Sequence, residues 1–394
     1  MSWAQTTLSN LSDIQTGPFG SQLHASDYVD EGIPIIMPQD IIGNRVVTDA
    51  IARIREEDAI RLTKYRVQPG DIVYSRRGDV ERHALIEEFE KDWLCGTGCL
   101  RVRPNNALIM PRYLHYYLSS PESRSWITAH AHGSTMPNLN TTILGEVPIC
   151  YPNIDEQQAI CRILESIDSK IHNNIQINDN LFDQMQSLYK AWFVDYAPFG
   201  GTKPASWKPS DIYSLANIIY GAPFTSKQFN TCGNGKPIIR IRDLKDQQFA
   251  TYTTEEHPKG YSLKAGDIVV GMDGEFRPYI WGNDEAWLNQ RVCVFDNKRP
   301  HGKAFLYYTI KPLLYAIEQT QVATTVIHIG KKDFDAFEVN IPDNDTLDRF
   351  DTITTPMISR IVVNCFENKR LAVVRDALLP KLMTGEIDVS DIQF

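Results

Sequence analysis

Three sets of residues in this 394-residue chain could do chemistry by type and spacing. Asp168-Ser169-Lys170 and Asp243-Leu244-Lys245 have the D-x-K spacing of some phosphodiester-cleaving sites. Neither has an acidic partner placed upstream, and the first falls on the expected exposed face of a helix, so neither is expected to be catalytic. Cys95 and Cys99 form a C-x3-C pair. No second pair completes a zinc site, and seven cysteines is an odd count, so buried free thiols are expected and no metal. Arg76-Arg77 with Arg82, Arg240 with Arg242, and Lys331-Lys332 concentrate positive charge. Each cluster taken alone reads as a solvated face. No G-x-x-x-x-G-K-[ST], G-x-G-x-x-G, H-E-x-x-H or G-x-S-x-G pattern occurs, nor an Asn-Pro-Pro-Tyr type of motif. The chain therefore reads as a binding protein with no catalytic residues of its own.

The elements that would position such groups come twice. Ile14–Ser21 is echoed by Ile219–Ser226, and Gly32–Ile41 by Gly235–Leu244. Gly70-Asp71-Ile72-Val73 returns as Gly266-Asp267-Ile268-Val269, and Tyr113–Tyr116 as Phe305–Tyr308. The offset drifts from 205 at the first of these pairs to 192 at the last, too long for a solenoid repeat, so it marks a duplicated domain. Short β-rich runs at Ile33–Met37, Asp71–Tyr74 and Cys99–Val102, and a helix beginning at Pro111, make each copy mixed α/β. Their echoes are Ile238–Ile241, Asp267–Val270, Val292–Phe295 and Lys303–Ile310.

Each copy ends in a long helical stretch. Ile160, Leu164, Ile167, Ile171, Asn174, Asn178, Leu181, Met185, Leu188 and Trp192 alternate in steps of four and three, a heptad seam. Adding 190 to each gives a second seam from Phe350 to Leu382, with Asn364 and Asn368 where the first has Asn174 and Asn178. Paired antiparallel about their midpoints, the helices would set Asn174 against Asn368 and Asn178 against Asn364, polar residues that fix register at a cost in stability. At 1.5 Å per residue such helices make a rod of roughly 50 Å. Pro356 is expected to loosen the second helix near its start, and Gly385 to stop it.

The expected fold is thus α+β: two similar α/β domains at 1–152 and 201–342, separated by helical regions at 153–200 and 343–394 that form an antiparallel coiled coil, in a pseudo-twofold internal repeat. Residues 1–152 carry 14 Lys+Arg against 18 Asp+Glu, and residues 201–342 carry 17 against 15. Neither module suits indiscriminate coating of nucleic acid, although a specific reader remains compatible. No apolar run approaches the ~18 residues of a membrane span. The start MSWAQTTLSN lacks the basic and apolar regions of a secretory signal, so a cytoplasmic location is expected.

Four motifs in this duplicated frame carry a resemblance. They are Ile14–Ser21, Tyr65-x3-Pro69-Gly70-Asp71-Ile72-Val73, Asp155-Glu156-Gln157-Gln158-Ala159-Ile160, and Leu378-Leu379-Pro380-Lys381-Leu382-Met383-Thr384-Gly385. The first two have echoes; the third is replaced in the second copy by Asn344-Asp345-Thr346-Leu347. With them the chain resembles, over its whole length, the specificity subunit of type I restriction–modification systems. The resemblance implies a non-catalytic subunit whose two target recognition domains each read one half of a split, asymmetric site in double-stranded DNA. It implies helices that set the spacing and dock two methyltransferase subunits, with two restriction subunits in the full complex. S-adenosylmethionine, ATP and Mg would then belong to the partners, with no cofactor on this chain. Arginine bonds guanine bidentately and Asn or Gln bonds adenine, while other groups hold phosphates. On that logic the candidates in the first module are Ser21, Gln39, Arg76, Arg77, Arg82, His132, Ser134, Thr135 and Asn138. Those in the second are Ser226, Lys227, Arg240, Arg242, Arg277, Thr324, Thr325 and His328. The alternative is a scaffold that binds proteins through duplicated modules, with no DNA role.

Overall fold

A computed structural model of the chain describes residues 3–133, 136–320 and 328–389. The repeated Gly-Asp motif is a turn that launches a central strand. Gly70 has φ +92° and Gly266 φ +86°, a region glycine enters without steric cost. Asp71 Oδ2 accepts from the Gln68 amide at 2.8 Å, and Asp267 Oδ2 from the Lys264 amide at 2.8 Å, closing both turns. The strands that follow, Ile72–Ser75 and Ile268–Gly271, open on β-branched residues and are buried throughout.

Each of these strands lies inside a four-stranded antiparallel sheet of the same order. In the first copy the order is Ser12–Thr16, Cys99–Pro104, Ile72–Ser75, His83–Leu85. In the second it is Ala216–Tyr220, Val292–Asn297, Ile268–Gly271, Pro278–Ile280. A smaller sheet in each copy contains one parallel pair, Leu94-Cys95 on Ile35-Ile36 and Trp287-Leu288 on Ile238-Ile239. Ala4–Thr7 pairs with Pro148–Tyr151, and Lys208–Asp211 with Glu338–Ile341, tying the start of each copy to its end. The helix begun at Pro111 ends at Ser119, and its counterpart runs from Lys303 to Thr320, ten residues beyond the expected Ile310, with Pro312 inside it. The expected strand Ile238–Ile241 sits earlier, at Lys236–Ile239, because the Arg240 amide turns onto the Asp243 carboxylate and opens a helical turn there.

The two long helices are Ile154–Tyr189 and Asn344–Met383. The second runs unbroken through Pro356 and Pro380 and stops before Gly385, whose φ is +74°. Packing divides the chain into two units: the residues up to Asp168 with those from Ala372 onward, and Ser169–Leu371. Each unit takes part of both helices.

In the first unit, Ile160, Cys161 and Leu164 join Leu379, Leu382 and Met383 in the core that also holds Leu8, Tyr113 and Val147. Arg375, a polar seam position, pairs with Asp168 at 3.0 Å, and Asp168 also accepts from Tyr116 Oη at 2.7 Å. Asp168 is therefore a partly buried bridging carboxylate, not the exposed helix residue its place in the D-x-K motif suggests.

In the second unit, Met185 and Phe193 pack with Phe350, Ile358 and Ile361 beneath the module. Asn174 Nδ2 donates to Asn368 Oδ1 at 2.9 Å and to Glu367 at 2.8 Å, while Asn364 Nδ2 donates to Asn178 Oδ1 at 2.8 Å. The helices are antiparallel here. Asn364 is fully buried and Asn178 nearly so. Replacing Asn364 alone by leucine leaves Asn178 Oδ1 without its donor and is expected to cost about 1–3 kcal/mol. Replacing both by leucine should restore most of that loss while relaxing register. Thermal unfolding of the single and double variants checks this, and equal losses in the two would show that the pair is not a unit.

Candidate nucleic-acid interface

One end of each large sheet carries a constellation of loops, and the same backbone bonds assemble it in both modules. In the first module the chain leaves the central strand at Ser75, and the Arg76 amide donates to Gly98 O at 2.7 Å. Arg76 O accepts from Leu139 N at 2.8 Å, and Arg77 forms a β-bridge with Asn138. His132 and Asn138 exchange two backbone bonds, of 3.0 and 2.7 Å, closing a hairpin beside the arginines. In the second module the Met272 amide donates to Arg291 O at 2.9 Å, Met272 O accepts from Ile329 N at 2.9 Å, and Asp273 bridges His328. Arg76, Arg77, Gly98 and Asn138 thus correspond to Met272, Asp273, Arg291 and His328.

Two further loops reach each constellation. Gly17 and Gly221 precede them, and a Cβ on either would lie 2.0 Å from a backbone oxygen, of Gly96 or Asn289 respectively. Only glycine permits so close an approach. The short turns Pro38–Asp40 and Ile241–Asp243 supply the second loop, each closed by its aspartate accepting the amide three residues back.

The candidate residues distribute unevenly over these loops. Ser21, Gln39, Arg77 and His132 are exposed, and Arg76 and Asn138 half-buried. Arg76 lies 5.9 Å from the Phe19 ring centroid, and its Nε, like Asn138 Oδ1, is buried without a protein partner. Arg82 stands at the hairpin beyond, paired with Asp79 at 2.6 Å. In the second module Ser226 and Lys227 are exposed on one helical turn, and Arg242 projects outward with Nε 3.6 Å from Asp243. Arg240 turns inward to Thr251 and Asp243. Arg277 is held bidentately by Glu318, and that bond raises the guanidinium and lowers the carboxylate. Each of these inward arginines is thus ion-paired with a carboxylate of its own module. Ser134, Thr135, Thr324 and Thr325 lie outside the described residues.

Arg291 is the residue that sequence reasoning missed. Its Nη1 lies 3.3 Å from Asp273 Oδ1 and 3.1 Å from His328 Nδ1, and His328 Nδ1 lies 2.6 Å from the same carboxylate oxygen. The signal was available: Arg291 immediately precedes the strand that echoes Cys99–Val102. Among the described residues no group of three or more His, Cys, Asp or Glu could hold a metal ion.

Behind the first constellation lies a buried histidine pair. His83 stacks on Tyr74 with centroids 4.7 Å apart, meets His115 edge-on at 5.0 Å, and sits 3.2 Å from Ser119 Oγ. Burial pushes the His83 imidazole down to about 4 and holds His115 well below its ordinary value. Both rings are neutral in the folded chain, whereas an unfolded histidine titrates near 6.5. Between those values the unfolded state binds the extra proton, so stability is full above pH ~6.5 and falls as the pH drops toward 4. At ~1.4 kcal/mol per pH unit, His83 accounts for about 3 kcal/mol of that loss. Urea unfolding at pH 7 and pH 4.5 measures it, and His83→Asn should flatten the dependence.

A model of the type I restriction modification DNA specificity domain matches the chain twice, at residues 2–181 and 204–359. The HindI specificity subunit of Haemophilus influenzae is 22% identical over 88% of this chain and 93% of its own length. The MjaIX specificity subunit of Methanocaldococcus jannaschii is 23% identical over 99% and 94%. The EcoBI specificity subunit of Escherichia coli reaches 38% identity over 32% of this chain and 27% of its own. Among solved structures, a type I restriction–modification S subunit from M. genitalium shares the fold, with TM-score 0.57 and 17% identity over 97% of this chain and 96% of that one.

Proposed function

The chain belongs to the type I restriction modification DNA specificity family, and on that premise we propose that it is the DNA-reading, non-catalytic subunit of a restriction–modification complex. Each module reads one half of a bipartite, asymmetric site in duplex DNA. The observation that carries this reading is the repeated loop constellation: identical backbone bonds present different side chains, Arg76-Arg77 with Asn138 in one module and Asp273, Arg291 and His328 in the other. A common frame with unlike side chains suits two different half-sites. Arg77 and Asn138 match guanine and adenine in the major groove, and Arg242, Lys227 and Gln39 have the exposure to meet phosphate or base edges.

The paired helices set the distance between the half-sites and dock two methyltransferase subunits, and two restriction subunits complete the nuclease. S-adenosylmethionine, ATP and Mg act on those partners. Among the described residues no helix is long and apolar enough to cross a membrane, in keeping with work on cytoplasmic DNA. The matched model describes a DNA specificity domain, which favours this reading over a scaffold that binds proteins alone.

A map of methylated adenines in host DNA, with and without this gene, tests the proposal. One split, asymmetric motif should lose its methylation when the gene is removed. No change in any motif, with the partner genes expressed, would overturn it.

A further inference from the structure

The repeated Pro-Phe pair does different work in the two modules. Phe224 is 6% exposed and packs with Ile238 and Trp287, on the parallel strand pair of the smaller sheet. In the first module that place is filled by Leu23, which packs with Ile35 and Leu94 on the equivalent pair. Phe19 is left over, 55% exposed, on a loop pinned on both sides. Thr97 Oγ1 donates to Pro18 O at 3.0 Å, Gln22 N donates to Phe19 O at 2.8 Å, and Gly17 N donates to Cys99 O at 2.9 Å. A single exposed apolar side chain is ordinary on a protein surface. This one stands on a backbone-bonded loop beside Arg76.

We propose that Phe19 is a specificity-determining contact of the first module and packs against the 5-methyl group of a thymine in the half-site which that module reads. The proposal rests on the DNA-reading function above. On the major-groove edges of the bases the thymine methyl is the apolar group, and Arg76 beside Phe19 suits a polar position next to it. Insertion between base pairs would need a ring free on both faces, but one side of Phe19 already carries the Arg76 guanidinium at 5.9 Å. At the echoed position of the second module Phe224 lies in the core and is not presented to a ligand.

Deoxyuridine differs from thymidine only by the missing methyl, which makes the test direct. Once the motif is mapped, the assembled complex containing the full chain is titrated with duplexes in which each thymine of the first half-site is singly replaced by deoxyuridine. At one position affinity should fall about fourfold, the worth of one buried methyl group. The Phe19→Ala complex should bind the thymine and deoxyuridine duplexes equally there, and should respond as the parent does to deoxyuridine in the second half-site. The proposal is overturned if no position shows the loss, if Phe19→Ala keeps it, or if the half-site holds no thymine on either strand. Absence of any sequence-selective binding by the parent complex would instead overturn the DNA-reading premise, and this proposal with it.

Discussion

Exchanging residues 1–152 for the corresponding module of another family member is expected to redirect methylation to a motif changed in one half and unchanged in the other. The effect should be complete at the exchanged half, because a good bidentate base contact is worth ~1–3 kcal/mol and several are lost or replaced together. Two features support independence. The first module has its own pair of four-stranded sheets, and the core around Leu8, Leu11, Tyr74 and Leu144 draws no residue from Ser169–Leu371. Its loop constellation is assembled by backbone bonds that use no residue of the second unit. Methylation mapping of the exchanged chain, expressed with its partners, is the measurement. A change in both halves would show that the modules read their targets jointly.

The second large effect concerns the root of the other module. Phe350 is fully buried on the second long helix. Its ring lies 4.9 Å from that of Phe193, 5.9 Å from Trp192 and 6.5 Å from Tyr189, at and just beyond the far end of the first helix. Phe350→Ala removes the partner of three aromatic rings at once, and a buried phenylalanine truncation costs ~3–5 kcal/mol. Denaturant unfolding followed by tryptophan fluorescence, to which Trp192 and Trp207 of this cluster contribute, should show the midpoint falling accordingly. A loss below 1 kcal/mol would mean that the cluster repacks around the gap.

The duplicated frame, the heptad seams and the facing asparagines were legible in the sequence because each rests on a period, and a period survives divergence of individual residues. Asn174 meets Asn368 because the fifth position of one seam faces the sixth of the other when the two four-three alternations run antiparallel about their midpoints. Pairings that rest on single side chains were not legible. Glu318 lies 41 positions from Arg277, and nothing in either segment announces their ion pair. Phe19 and Phe224 share a motif, yet one is exposed and the other is core. Gly17 and Gly221 mark the true structural correspondence, one position out of step with the Pro-Phe echo, and a shift of one residue in a loop changes what a side chain faces. Arg240 read as a free cation from its charge, but Thr251 and Asp243 claim it through contacts that only the folded sheet creates.

The division of the chain into units also sets an order of events during synthesis. The first unit is interrupted: its core takes Leu379, Leu382, Met383 and Val389 from beyond the whole of Ser169–Leu371. A ribosome adding ~5–20 residues per second needs roughly 10–40 s to make the intervening stretch. During that interval Ile160 and Leu164 have emerged without the leucines that cover them, while the second unit acquires every segment it needs. The unit that leaves the ribosome first is therefore the last to close, and the nascent chain carries an uncovered apolar helix face for most of the time it takes to be made.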